Sequence, residues 1–221
     1  MSADIAWLIA AATLDTIWMV AASMVIATAA GAPLGVFLAT SRRGELFSAP
    51  LANHIVGFIV NATRSTPFII LVVAIIPFTR LVAGTSIGTR AAIVPLTIAA
   101  TPFIARLVET AIREVDQGLV EAARAMGATP LQIVRKVLLP EAVPAIVLSL
   151  TLAVVSLIGY SAMVGAVGGG GLGDLGIRYG YQRFMPDVML TVVVVLIVLV
   201  QGVQSIGDHL ARRLNRRVRQ H

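Results

Sequence analysis

The chain has 221 residues, of which 57% are apolar by type and 13% carry charge, and its mean hydropathy is +0.91; soluble domains carry about 25% charged residues, so a soluble single domain is excluded. The net charge of +6 does not point to nucleic acid, because the basic residues lie between and beyond hydrophobic runs, where membrane orientation accounts for them. Cysteine is absent, which removes disulfides, thiolate metal sites and a cysteine nucleophile.

A spanning helix needs about 20 apolar residues, and the charge-free windows 16–41, 142–173 and 188–207 meet that length. Residues 1–13 hold no Lys or Arg, unlike the basic start of a secretory signal, so the apolar run from Trp7 past Ala27-Thr28-Ala29 reads as a retained span. The predicted first span covers about residues 15–40, after an external segment 1–14, and ends at the basic Ser41-Arg42-Arg43. The apolar stretch Leu46 to Thr79, interrupted by His54 and Arg64, holds the second, about 55–79, as one tilted or extended helix. The turn-rich Ala83-Gly84-Thr85-Ser86-Ile87-Gly88 follows as an external loop. A third span, about 91–110, returns the chain to the cytoplasm near Arg106, Glu109 and Arg113. The fourth covers about 141–167, residues 168–186 form a flexible external loop, and the fifth runs from about 187 to 208 into the basic tail 209–221, with Arg212, Arg213, Arg216, Arg217 and Arg219. This topology puts 12 of the 17 basic residues inside and Arg80, Arg90, Arg178 and Arg183 outside. The expected fold is an all-α polytopic membrane protein with five transmembrane helices, amino terminus outside and carboxyl terminus cytoplasmic. No repeat of 20 to 50 residues is evident.

Between the third and fourth spans, residues 116–140 are too polar to cross but strongly punctuated. Asp116 is a suitable N-cap, and Leu119, Ala122, Ala123 and Met126 share a helical face. Gly127 offers a stop. Thr129-Pro130-Leu131-Gln132 then reads as a capping box with proline in the first turn, and Pro140 marks entry to the fourth span. Such a short helix suits either an amphipathic connector on lipid headgroups or an element that fills a partner's groove. A DNA-binding helix-turn-helix shares the pattern, but spans on both sides oppose DNA docking.

Glu121-Ala122-Ala123, three residues, Gly127, nine residues, then Val137-Leu138-Leu139-Pro140 resembles the EAA signature of binding-protein-dependent ABC importer permeases, with Val where that family usually has Ile. Further runs, Thr66-Pro67-Phe68-Ile69-Ile70, Ile76-Pro77-Phe78-Thr79-Arg80, Ala125-Met126-Gly127-Ala128-Thr129-Pro130 and Gly159-Tyr160-Ser161-Ala162-Met163, resemble the bacterial methionine-importer permeases, which also have five spans. The resemblance implies a type I importer transmembrane domain over residues 15–208, in the bacterial inner membrane. It implies two permease copies around the pathway, two cytoplasmic ABC ATPase subunits that use ATP and Mg, and an external methionine-binding lipoprotein. It assigns ATPase coupling to Glu121, Ala122, Ala123, Arg124, Met126 and Gly127, with no cofactor, metal or catalytic residue in this chain. Against a coupling role for Glu121 stands a solvated pair with Arg124.

Other signals are weaker. Gly171, Gly173 and Gly176 form a G-x-G-x-x-G match with neither a preceding strand nor a phosphate-binding lysine, so nucleotide is expected on the partner. Ser161 and His209 suggest an intramembrane hydrolase, but the topology separates them by much of a roughly 30 Å layer. His54, His209 and His221 lack the spacing of a helical metal site. Arg64 has two readings, a pathway or ATPase contact, or a boundary residue that snorkels. Ser156, Tyr160, Ser161 and Met163 are candidates for the pathway or gate, although polar residues also join helices structurally. An ATP-independent amino-acid carrier is the alternative from another class; it calls for coupling-ion sites and repeated halves that the sequence does not display.

Overall fold

The computed structural model describes the backbone of residues 3–218 and the side chains of residues 4–214; Arg219 and His221 of the basic tail, and the side chains of Arg216 and Arg217, lie outside that range. Among the described residues the fold is entirely helical. Its α-helices are α1 (Ala3–Thr40), α2 (Pro50–Ser65), α3 (Phe68–Ala74), α4 (Ile76–Ala83), α5 (Thr89–Arg113), α6 (Gln117–Ala125), α7 (Pro130–Ile133), α8 (Leu139–Ala166), α9 (Gly171–Leu175) and α10 (Pro186–Val218). Single π-helical turns, Val134–Leu138 and Gly176–Tyr181, follow α7 and α9. Among the described residues four helical stretches are long and apolar enough to cross a membrane, Asp4–Thr40, Thr89–Arg113, Pro130–Ala166 and Pro186–Leu214. A fifth crossing results when the bent pair α2 and α3 counts as one span.

Three elements differ from the sequence expectation. First, α1 begins at Ala3, well before residue 15. Asp4 in its first turn suits the positive end of the helix dipole, and Ile9 and Ala12 are buried with Leu172, Leu175, Val188 and Val192. That burial packs the first turns of the helix on the same unit as α9 and the start of α10. Second, the region about 55–79 is not one helix. α2 and α3 are bent by 101° at Thr66-Pro67, because a residue before proline is driven out of the α region and Pro67 itself sits at φ −57°, ψ 132°. Ile75, at φ −96° and ψ 10°, breaks the helix again, and Pro77 occupies the first turn of α4. Third, the stretch after Gly168 is no flexible loop, since α9 and the π turn Gly176–Tyr181 order it and leave Leu172 fully buried.

The chain divides into two compact units. One holds the residues up to Ala27 with Thr66–Ala100 and Ala153–Gln204; the other holds Thr28–Ser65, Thr101–Leu152 and the residues from Ser205 on. In the first, backbone approach is close. Gly171, at φ +73°, sits where a Cβ would strike Met19 and Thr16, and a Cβ on Gly173 would lie 2.5 Å from the Ala162 carbonyl oxygen. Leu172 N–H donates to the Thr16 hydroxyl (2.9 Å), which donates in turn to the Ala12 carbonyl (3.0 Å). In the second, Gly31 and Gly35 form a small-xxx-small pair that lets α1 lie against α5; a Cβ on Gly35 would come within 2.5 Å of the Ala105 carbonyl oxygen.

Candidate functional site

The segment from Asp116 to Leu138 builds a short, doubly capped helical hairpin. The Asp116 carboxylate accepts from Gly118 N–H at 2.8 Å and starts α6. At its end Gly127 takes φ +80°, Gly127 N–H donates to the Arg124 carbonyl (2.9 Å) and Ala128 N–H to the Ala123 carbonyl (3.0 Å). Those two bonds are a Schellman stop, which satisfies carbonyls the helix would otherwise leave open. The next helix starts at a reciprocal box. Thr129 N–H donates to Gln132 Oε1 (2.8 Å), while the Thr129 hydroxyl accepts from Gln132 N–H (3.4 Å).

Burial sorts the six predicted coupling residues. Ala123 is buried with Val120, and α6 packs against the π turn Val134–Leu138. Glu121, Ala122, Arg124, Met126 and Gly127 are exposed. Ala123 therefore seats the helix on its own chain, and the outward ridge consists of Leu119, Ala122 and Met126, the last 82% exposed. No ion pair joins Glu121 to Arg124 among the described residues, so the solvated-pair reading of Glu121 has no support here. The arrangement offers a small apolar ridge flanked by one acid and one base, without acid–base or nucleophilic geometry.

Just before this hairpin in the chain, Arg106, Glu109 and Arg113, which the sequence offers as charge markers, form a cluster with Arg42. Glu109, 3% exposed on α5, draws three guanidinium groups: Arg42 at 3.1 Å, Arg113 at 3.4 Å, and Arg106, which bonds its other carboxylate oxygen. Arg106 also donates to the Gly57 carbonyl at 3.1 Å. Asn53 donates to the Leu38 carbonyl and the Ser41 hydroxyl, each at 2.9 Å. The end of α1, the start of α2 and the end of α5 are thus tied to one another. Removing one member of such a buried cluster leaves the others uncompensated, so its members depend on one another. The i−3 and i+4 spacing of Arg106 and Arg113 around Glu109 was the available sequence signal; Arg42 has none.

The predicted pathway residues lie in the other unit, all on α8. Tyr160 stacks on Phe68 with ring centroids 4.4 Å apart. The Ser161 hydroxyl is buried and donates to the Ile158 carbonyl at 2.7 Å, a bond within its own helix. Met163 is exposed and Ser156 half-buried. Arg64 is exposed on α2 with its guanidinium 5.9 Å from the Phe103 ring centroid. Among the described residues no group of acidic and histidine side chains is placed to hold a metal.

Residues 31–220 match the family described as binding-protein-dependent transport system inner membrane component. The chain belongs to that family. It is a multi-span inner-membrane permease, as the EAA-like spacing and the helical composition implied. Its relatives include the "Probable D-methionine transport system permease protein MetI" of Vibrio cholerae, 58% identical over 211 residues, which cover 95% of this chain and 93% of the relative. The D-methionine transport system permease protein MetI of Escherichia coli K12 is 52% identical over 165 residues, 75% of this chain and 76% of that one. A solved inward-facing MetNI methionine ABC transporter is 50% identical, with a TM-score of 0.94 over 97% of this chain and 99% of that one. An amino acid ABC transporter crystallised with histidines shares the fold at a TM-score of 0.79 and 18% identity, over 93% of this chain and 94% of that one.

Proposed function

We propose that this permease is the membrane-spanning subunit of an ATP-driven methionine importer, working as two copies with two cytoplasmic ABC ATPase subunits and an external methionine-binding lipoprotein. The observation that carries the reading is the 0.94 TM-score to a methionine ABC transporter at 50% identity. The capped hairpin gives the reading its mechanics. ATPase closure moves α6 through the exposed Leu119, Ala122 and Met126 ridge, with Glu121 and Arg124 supplying charge at its flanks. Val120 and Ala123 pass that displacement to the π turn and so to α8. ATP and Mg belong to the partner subunit, and this chain contributes no catalytic group.

The basic clusters at Arg42-Arg43 and in the tail 209–221 support an amino terminus outside and a cytoplasmic α6. Tyr160 and its stack on Phe68, with Ser156, Ser161 and Met163 nearby in sequence, are our candidates for the pathway or gate. The test is reconstitution into vesicles with the ATPase and the lipoprotein. ATP-dependent accumulation of labelled methionine is expected, and none from the chain alone. Uptake of histidine, glutamine or a small peptide in place of methionine would reject the substrate; methionine uptake by the chain alone on an ion gradient would reject ATP coupling.

A further inference from the structure

A cleft of about 540 Å³ opens beside the Glu109 cluster, between the loop after α1, α2 and Arg106 of α5. Its polar lining is Arg42, Arg43 and Arg106 with Asn53, His54 and Asn61, and no acidic side chain lines it. The neighbouring acids do not cancel the cations. Glu109 supplies one negative charge and shares it among Arg42, Arg106 and Arg113. Arg43 and Glu45 are both exposed, and neither makes an ion pair among the described residues. The Nε of Arg106 is buried without a hydrogen-bond partner, so the guanidinium is not saturated by the protein. Arg42 is 48% exposed and one of its amino groups is spent on Glu109, leaving further N–H donors toward the cleft.

The cleft continues into an apolar strip on the same helix. Leu51, Ile55, Phe58 and Ile59 are 75%, 51%, 70% and 58% exposed, and their spacing places them along one side of α2. Phe47, in the loop before α2, is exposed as well. A soluble anion would satisfy the arginines and leave that strip bare. A second copy of this chain would cover the strip, but a twofold contact centred here would set the same cations against each other. An amphiphile with an anionic head and hydrocarbon tails matches both halves.

We infer that this cleft binds an anionic phospholipid, with the phosphate held by Arg42 and Arg43 and the acyl chains lying along Leu51, Ile55 and Phe58. Guanidinium groups suit the phosphate because they present several N–H donors in a fixed plane. Asn53 and His54 flank the same opening and have room to contact the glycerol and headgroup. The bound lipid would join the loop after α1 to α2 from the bilayer side. The Glu109 cluster joins them from the protein side.

The test uses the full chain purified from membranes with its associated subunits and placed in phosphatidylcholine vesicles, without solute or ATP, so its outcome is separable from that of the importer reading. Association of spin-labelled phosphatidylglycerol is compared with that of spin-labelled phosphatidylcholine. A preference for phosphatidylglycerol is expected, dropping about fivefold for each basic side chain replaced. The variants are Arg43→Gln and the pair Arg43→Glu with His54→Glu; both positions are exposed and bonded to nothing among the described residues, so the fold survives. Half-molar salt should weaken the preference, and millimolar inorganic phosphate should not compete. An unchanged preference in the double variant would overturn the site. Equal displacement by inorganic phosphate would replace the lipid by a free anion, and photo-crosslinking from position 58 to a second copy instead of to lipid would replace it by a protein contact.

Discussion

The Glu109 cluster and the glycine-lined turn after α8 each tie three stretches of chain, and they do so by opposite means. Glu109 holds the loop after α1, the carbonyl of Gly57 and the end of α5 through long guanidinium side chains. Around Gly168 to Gly173 the ties are backbone approaches. Gly88 N–H donates to the Gly168 carbonyl (2.8 Å), Leu172 N–H meets Thr16, and Gly173 leaves no room beside Ala162. Charge acts over several ångströms and follows a flexible side chain, so the first tie tolerates small displacements. Close packing tolerates none. One region is therefore sensitive to the sign and screening of charge, the other to the volume of a single methyl group.

Removing the shared carboxylate should have the largest effect. Glu109→Ala leaves three guanidinium groups around an apolar gap and is expected to cost about 3 kcal/mol, read as a lower unfolding temperature of the purified protein in detergent. Glu109→Asp should recover part of it and Glu109→Gln little; equal stability of Gln and wild type would show that shape, not charge, holds the region. Next comes Gly173→Ala, whose added carbon meets fixed backbone and is expected to cost about 1–3 kcal/mol with no dependence on salt. A salt-dependent loss there would erase the contrast. Thr16→Val keeps the shape but removes the acceptor of Leu172 N–H, and a loss of about 1–2 kcal/mol is expected together with faster amide exchange at Leu172. The smallest effect belongs to Arg113→Gln. Arg113 is about one-third exposed at 3.4 Å from Glu109, so under about 1 kcal/mol is expected, fading at high salt.

What was legible in the sequence follows the range of the interaction concerned. The caps at Asp116 and Thr129, the stop at Gly127 and the proline in the first turn of α7 depend on neighbours within a few residues, and the structure places each as the sequence implies. The split of α6 into an inner face with Ala123 and an outer face with Ala122 was not legible, because both residues are small and only the packing partner distinguishes them. The break at Thr66-Pro67 carried its signal, but an apolar run of that length hid it when hydropathy alone set the span. The glycines from 168 to 173 pointed to flexibility by composition, whereas their use here is close approach to Thr16, Met19 and Ala162. Arg42 and Glu109 are separated by 67 residues, and nothing local in either announces the other.

The π turn at Val134–Leu138 adds a constraint of a different kind. Backbone angles on both sides of it stay helical, so α7, the turn and α8 run as one rod, Pro130–Ala166. A π turn holds one residue more than an α turn, and each residue of an α-helix advances the winding by about 100°. Everything before Val134, including α6 packed on the turn, is therefore rotated by somewhat more than a right angle from where an unbroken helix would point it. Winding the turn as regular α-helix at full chain length would swing the Leu119–Met126 ridge to a new bearing, whereas deleting Arg135 would remove the extra residue, keep both helices and leave the bearing as the π turn sets it. The π turn thus sets an azimuth, and its loss at full chain length would misalign the ridge with the docking groove proposed for it even if every side chain of the ridge were retained.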